Sequence, residues 1–108
     1  MTTPADRRLE RRNPANGRGV VVAPSLEIPC MISDVSASGM RVRMERPLAL
    51  PARVTLVDVA GATAHECEVA WRKGNEAGLK RMSQSSLRGL APSRLLPARE
   101  AWLRAGGR

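Results

Sequence analysis

Across residues 40–45 apolar and charged side chains alternate one for one, Met40, Val42 and Met44 against Arg41, Arg43 and Glu45. A period of two is the signature of an extended strand with one buried and one wet face, because successive side chains leave the backbone on opposite sides. The same texture recurs in short pieces along the chain. Residues 19–23 form a β-branched run stopped by Pro24, and Ile28, Cys30 and Ile32 alternate with Pro29, Met31 and Ser33. Val54 and Leu56 lie between Pro51 and Asp58, and Cys67, Val69 and Trp71 alternate with Glu66, Glu68 and Arg72. After the turn Lys73-Gly74-Asn75, a last strand takes Ala77, Leu79 and Arg81. Six short strands separated by turn residues predict an all-β fold, a small six-stranded antiparallel barrel. Closure of such a sheet also removes the open edges that invite aggregation.

A chain of 108 residues is one domain by length. Its texture divides it into an Arg-rich lead-in over residues 1–18, the barrel over 19–82 and a tail over 83–108. Phe and Tyr are absent and only Trp71 and Trp102 are aromatic, so Val, Leu, Ile, Met and Ala must fill the core. In the tail, Leu87, Leu90 and Ala91 fall at helical spacing, and Pro97 opens a short helix through Arg104 ended by Gly106-Gly107, the alternative being a frayed end. The N-terminal MTTPADRRLERR lacks an apolar signal region, and no apolar run reaches the ~18–20 residues of a membrane span. A cytoplasmic protein without a membrane span is expected, and in that setting the two cysteines, Cys30 and Cys67, read as reduced core thiols.

The net charge of +8 points to an anionic partner: nucleic acid, an acidic membrane surface or a phosphorylated ligand. A basic surface that only keeps a small domain soluble is the plain alternative. Specific nucleic-acid binding is disfavoured by the lack of a row of aromatics on which bases stack. Enzymatic constellations are missing: His65 is the only histidine, and no nucleophile–base or paired-carboxylate pattern stands out. Cys30, His65 and Cys67 offer at most three donors for a metal, and inert thiols are the default reading. The chain is expected not to be an enzyme, and to need neither cofactor nor metal.

Two features rise above this background. The cluster Arg7-Arg8-Leu9-Glu10-Arg11-Arg12 holds two overlapping R-x-x-x-R pairs, Arg7 with Arg11 and Arg8 with Arg12. Further on, Asp34-Val-Ser36-Ala-Ser-Gly39 is a D-x-S-x-x-G element between two strands. Taken singly, the first is a solvated charge cluster and the second a turn, with Asp34 and Ser36 bonding nearby backbone and Gly39 supplying a positive φ.

In this order and spacing they resemble the PilZ family, whose signature is R-x-x-x-R on an N-terminal segment followed, after the first strand, by D/N-x-S-x-x-G. Residues 39–43 resemble the strand after that motif, Glu68-Val-Ala-Trp-Arg72 the late strand ending in Trp, and Glu76-Ala-Gly-Leu-Lys80 the Gly-containing strand that closes the barrel. The resemblance covers about residues 7 to 82.

It implies a receptor for the bacterial second messenger cyclic di-GMP, which PilZ domains commonly take as a stacked dimer. Arg7, Arg8, Arg11 and Arg12 are the implied clamp, with Arg8 and Arg12 the favoured pair. Arginine suits the task, because its planar fork bridges phosphate oxygens or the O6/N7 edge of guanine and stacks on a purine face. Asp34 and Ser36 are expected to hydrogen-bond guanine or phosphate, and Gly39 to let the ligand approach the backbone. The Arg segment is expected to be mobile without ligand and to fold over the barrel with it, so that a downstream protein partner reads the change. Two alternatives stand beside this: a PilZ-like adaptor working through protein contacts alone, and a basic barrel binding nucleic acid.

Overall fold

The structure is a computed structural model and describes residues 13–107. Arg7, Arg8, Arg11 and Arg12 lie outside the described residues. The described chain runs β1 (Asn13–Ala23), β2 (Leu26–Val35), β3 (Gly39–Met44), β4 (Arg53–Asp58), β5 (Thr63–Lys73), β6 (Glu76–Ser86), a single 3-10 turn (Ser93–Leu95) and α1 (Leu96–Arg104). The six strands close into an antiparallel barrel in the order β1-β2-β3-β6-β5-β4, with β4 returning to β1. The all-β barrel expected from the alternation is the fold observed.

Alternation sorts the side chains into two apolar layers. Val21, Ile28, Cys30, Ile32, Met40, Val42, Met44, Val54, Leu56, Cys67, Ala77 and Leu79 fill the barrel, every strand contributing. On the outer side, Val20 and Val22 of β1 and Val57 of β4 face the helix, since they alternate with Val21 and Leu56. Burying both faces of the β1–β4 pair explains why these strands read as β-branched runs rather than clean alternation.

The helix is held by residues at helical spacing: Leu95, Ala98, Ala101 and Trp102 are all buried against β1, β4 and Leu87. Pro97 occupies its first turn, where the missing N–H costs nothing. At the other end, Ala105 N–H donates to Ala101 O at 3.0 Å and Gly107 N–H to Trp102 O at 2.8 Å. The tail helix is therefore formed where Pro97 and Gly106-Gly107 bracket it, while the spacing of Leu87, Leu90 and Ala91 does not make a helix. Leu87 is buried as the chain leaves β6, whereas Leu90 is fully exposed in the connection between β6 and the 3-10 turn.

Two strand limits lie beyond the apolar runs. β1 begins at Asn13 rather than near Gly19, and β6 continues to Ser86 because the polar segment 83–86 pairs with residues 63–66 of β5. Backbone pairing sets these limits, and hydrophobicity does not mark them.

Candidate functional site

The D-x-S-x-x-G element connects β2 to β3 at one end of the barrel. On the parity of Ile28, Cys30 and Ile32, Asp34 would point inward. Pairing shifts by one between Ile32–Val42 and Asp34–Arg41, so Ser33 is an inserted residue, a β-bulge. The bulge turns Asp34 to the outer face beside Arg41, whose Nη2 donates to Asp34 Oδ2 at 3.4 Å. Ser33 Oγ–H donates to Arg41 O at 3.2 Å and holds the bulge itself. Only 9% of Asp34 is exposed, so its carboxylate is an aimed, partly desolvated acceptor.

From Ser36 to Gly39 the chain turns tightly: Ser36 N–H donates to Gly39 O at 2.8 Å, and its Oγ–H lies 3.3 Å from the same oxygen. Gly39 does not take the positive φ expected of a turn glycine; among described glycines that conformation belongs to Gly74, Gly89 and Gly106. Its role is close approach. A Cβ at Gly39 would drive into the carbonyl of Leu79 on β6, a rigid backbone group. Gly39 thus lets β3 seat against β6.

A second bulge builds the opposite wall. Val69 pairs with Leu79 but Trp71 with Gly78, so Ala70 is the inserted residue on β5. Trp71, inward by alternation from Cys67 and Val69, is instead turned outward and is 43% exposed. Its indole lies over the backbone of Gly78, where any Cβ would collide with the ring. Between these walls runs an open groove of about 520 Å³, lined by Asp34, Ser36, Gly39, Arg41, Trp71 and Lys80 among others.

Beneath the loop, Arg81 continues the inward series Ala77, Leu79, Arg81. Its Nη1 donates to Ser36 O at 3.1 Å and Ala37 O at 2.6 Å, its Nη2 lies 3.0 Å from Met40 Sδ, and its Nε donates to His65 Nδ1 at 3.1 Å. The backbone N–H of Arg81 also donates to Ser38 O at 2.8 Å. Accepting at Nδ1 assigns the imidazole proton of His65 to Nε2. Desolvation and, second, the neighbouring Arg81 charge lower the His65 pKa, with Asp58 opposing them.

The thiols are pushed up by burial, Cys30 to about 12 and Cys67 to about 11, and so are neutral and unreactive. His65 and Cys67 do share the inward face, Cys67 Sγ–H donating to the His65 carbonyl at 3.3 Å. Among the described residues, no group of three or more His, Cys, Asp or Glu side chains is placed to hold a metal.

Asp34, Ser36 and Gly39 are thus brought together on one groove. Asn13 pairs with Val35 and Pro14 with Asp34, so the strand that comes after the arginine cluster begins alongside the motif. The PilZ domain family model matches residues 6–91, a span that includes both motifs. This chain belongs to the PilZ family. A search of curated proteins gave no match. PilZ domains are a cyclic di-GMP-binding-type family whose members are generally non-catalytic receptors and which includes degenerate variants.

The sequence pattern alone does not single out Arg41, Trp71, Lys80 or the Arg81–His65 pair as site residues in this PilZ domain. For Arg81 a signal is present: a charged residue at the inward position of an apolar alternation demands buried acceptors. For Trp71 there is none, because a one-residue bulge leaves the composition of a strand unchanged.

Proposed function

We propose that this PilZ domain binds cyclic di-GMP in the groove between the 36–39 loop and Trp71, with the R-x-x-x-R segment as clamp. The observation that carries the reading is the start of β1 opposite Asp34. Arg12 directly precedes Asn13, and Arg8 is five residues away, a span of at most ~17 Å at ~3.4 Å per residue. Either arginine is therefore within chain reach of a ligand on Asp34 and Ser36.

Each wall has a matching chemical task. The Asp34 carboxylate accepts from the N–H groups of a guanine edge, and the Ser36 hydroxyl bonds guanine or phosphate. The exposed face of Trp71 stacks on a purine, and Arg41 and Lys80 attract the phosphates. The outcome of binding is a change of surface, in which the Arg-bearing segment closes over the groove and a downstream protein reads it. The setting is the bacterial cytoplasm; no helix among the described residues is long and apolar enough to cross a membrane.

Calorimetric titration with cyclic di-GMP, beside GMP and a short DNA at physiological salt, tests the proposal. The expected result is micromolar or tighter binding of the cyclic dinucleotide alone, weakened ~10- to 100-fold by Arg8→Ala or Arg12→Ala. Absence of heat would overturn the receptor reading in favour of an adaptor acting through protein contacts. Binding of DNA that collapses with salt would favour a nucleic-acid barrel.

A further inference from the structure

The 36–39 loop is grasped from inside the barrel by one side chain. Arg81 reaches up from β6 and captures the carbonyls of Ser36 and Ala37 with one guanidinium nitrogen, while its Nε rests on His65 from β5. A trans peptide sets N–H opposite C=O, and the described chain has no cis bond. Drawing both carbonyls inward therefore turns the N–H groups of Ala37 and Ser38 away from Arg81.

We propose that Arg81, seated on neutral His65, is a positioning residue that sets the ligand-binding conformation of the 36–39 loop. Loop order and ligand affinity then fall together when His65 is protonated. The affinity half of this rests on the cyclic di-GMP reading above; the loop half does not.

Neutral His65 offers Nδ1 as an acceptor. Protonated, it becomes a donor at both nitrogens and carries a positive charge 3.1 Å from the guanidinium nitrogen, so the seat turns repulsive. The groups facing it are Arg81 from β6, Asp58 from β4 and, along β5, the neutral Cys67 thiol. Of these Arg81 opposes protonation and Asp58 favours it. Burial favours the neutral ring as well, so the latch is closed at pH ~7.5 and opens on acidification. The short reach of Arg81 to Ala37 O means that loss of the seat at Nε cannot leave the loop contacts untouched, since one planar group makes them all.

Amide hydrogen exchange on the full chain without ligand tests the loop half. Ser36 N–H donates to Gly39 O and Arg81 N–H to Ser38 O, so their protection factors report the loop, whereas Leu87 N–H, bonded to Ala62 O, reports the far side. As pH falls from ~7.5 to the point at which the imidazole nitrogen signals of His65 show it protonated, protection of Ser36 and Arg81 is expected to fall about tenfold with Leu87 unchanged. His65→Gln, whose amide oxygen accepts at every pH, is expected to abolish that fall. Protection that stays level while the imidazole nitrogen signals of His65 show it protonating would overturn the proposal. So would wild-type loop protection in Arg81→Met. In parallel, cyclic di-GMP affinity should drop about tenfold over the same range in the wild type and stay level in His65→Gln. Failure of the wild type to bind at pH ~7.5 would sink the receptor reading, while the exchange data still decide the latch.

Discussion

The chain has two tryptophans on opposite duties. Trp102 is 3% exposed and donates from Nε1 to Val59 O at 2.9 Å, sealing α1 onto the outer face of β1 and β4. Trp71 is 43% exposed and rests on a glycine at the groove. Around Trp102 the strands are regular and the neighbours aliphatic, so every group contributes to packing. Around Trp71 and Asp34 the ladder shifts register at Pro14–Gly17, Ile32–Asp34 and Val69–Trp71, and polar and charged groups converge. One region is built to be dry and the other to present chemistry. The cost of the second, interrupted pairing and half-wet side chains, is tolerated because the first supplies a second apolar layer.

The largest effect expected from breaking that contrast is on the sealed side. Trp102→Ala should destabilise the fold by ~3–5 kcal/mol, read as a lower urea midpoint, with the ligand affinity of the folded fraction unchanged. Gly39→Ala stands between the two regions. The new methyl presses on the Leu79 carbonyl, and a loss of ~1–3 kcal/mol of stability should come together with weaker ligand binding. Trp71→Ala should show the reverse of Trp102→Ala. Stability should move by no more than ~0.5 kcal/mol. Ligand affinity should fall by ~1–3 kcal/mol, the worth of one stacked base.

The fourth expectation concerns pH. Since folding lowers the His65 pKa, the unfolded chain binds more protons as pH falls below the ordinary imidazole value of 6.5. Stability from this group is therefore complete above that value and is lost as pH falls through the folded-state pKa. Urea midpoints of wild type and His65→Gln between pH ~7.5 and ~5 should diverge accordingly. The smallest effect belongs to the exposed Glu27–Arg104 pair linking β2 to α1, where Glu27→Gln should cost at most ~0.5 kcal/mol, and less at high salt.

Much of the fold was legible because the barrel writes itself in period two. Met40, Val42 and Met44 point inward as their alternation with Arg41 and Arg43 requires, and Pro97 and Gly106-Gly107 bracket the helix. The single-residue insertions at the groove could not be read in the same way. Ser33 and Ala70 look like ordinary strand residues, yet each reverses the parity of the residues after it and so aims Asp34 and Trp71 outward. Gly39 was legible as a required glycine but for the wrong physical reason, since the constraint comes from Leu79, a neighbour forty residues away in sequence. The Arg81–His65 contact joins two strands whose pairing register no local pattern reveals.

The most direct test of the groove as the ligand site uses the two indoles against each other. In a ¹⁵N-labelled sample the Nε1–H groups of Trp71 and Trp102 give separate signals, to be monitored during titration with cyclic di-GMP. The account predicts that the Trp71 signal moves with the binding isotherm while that of Trp102 stays in place. Movement of Trp102 alone, or saturable binding that leaves Trp71 unmoved, would contradict it.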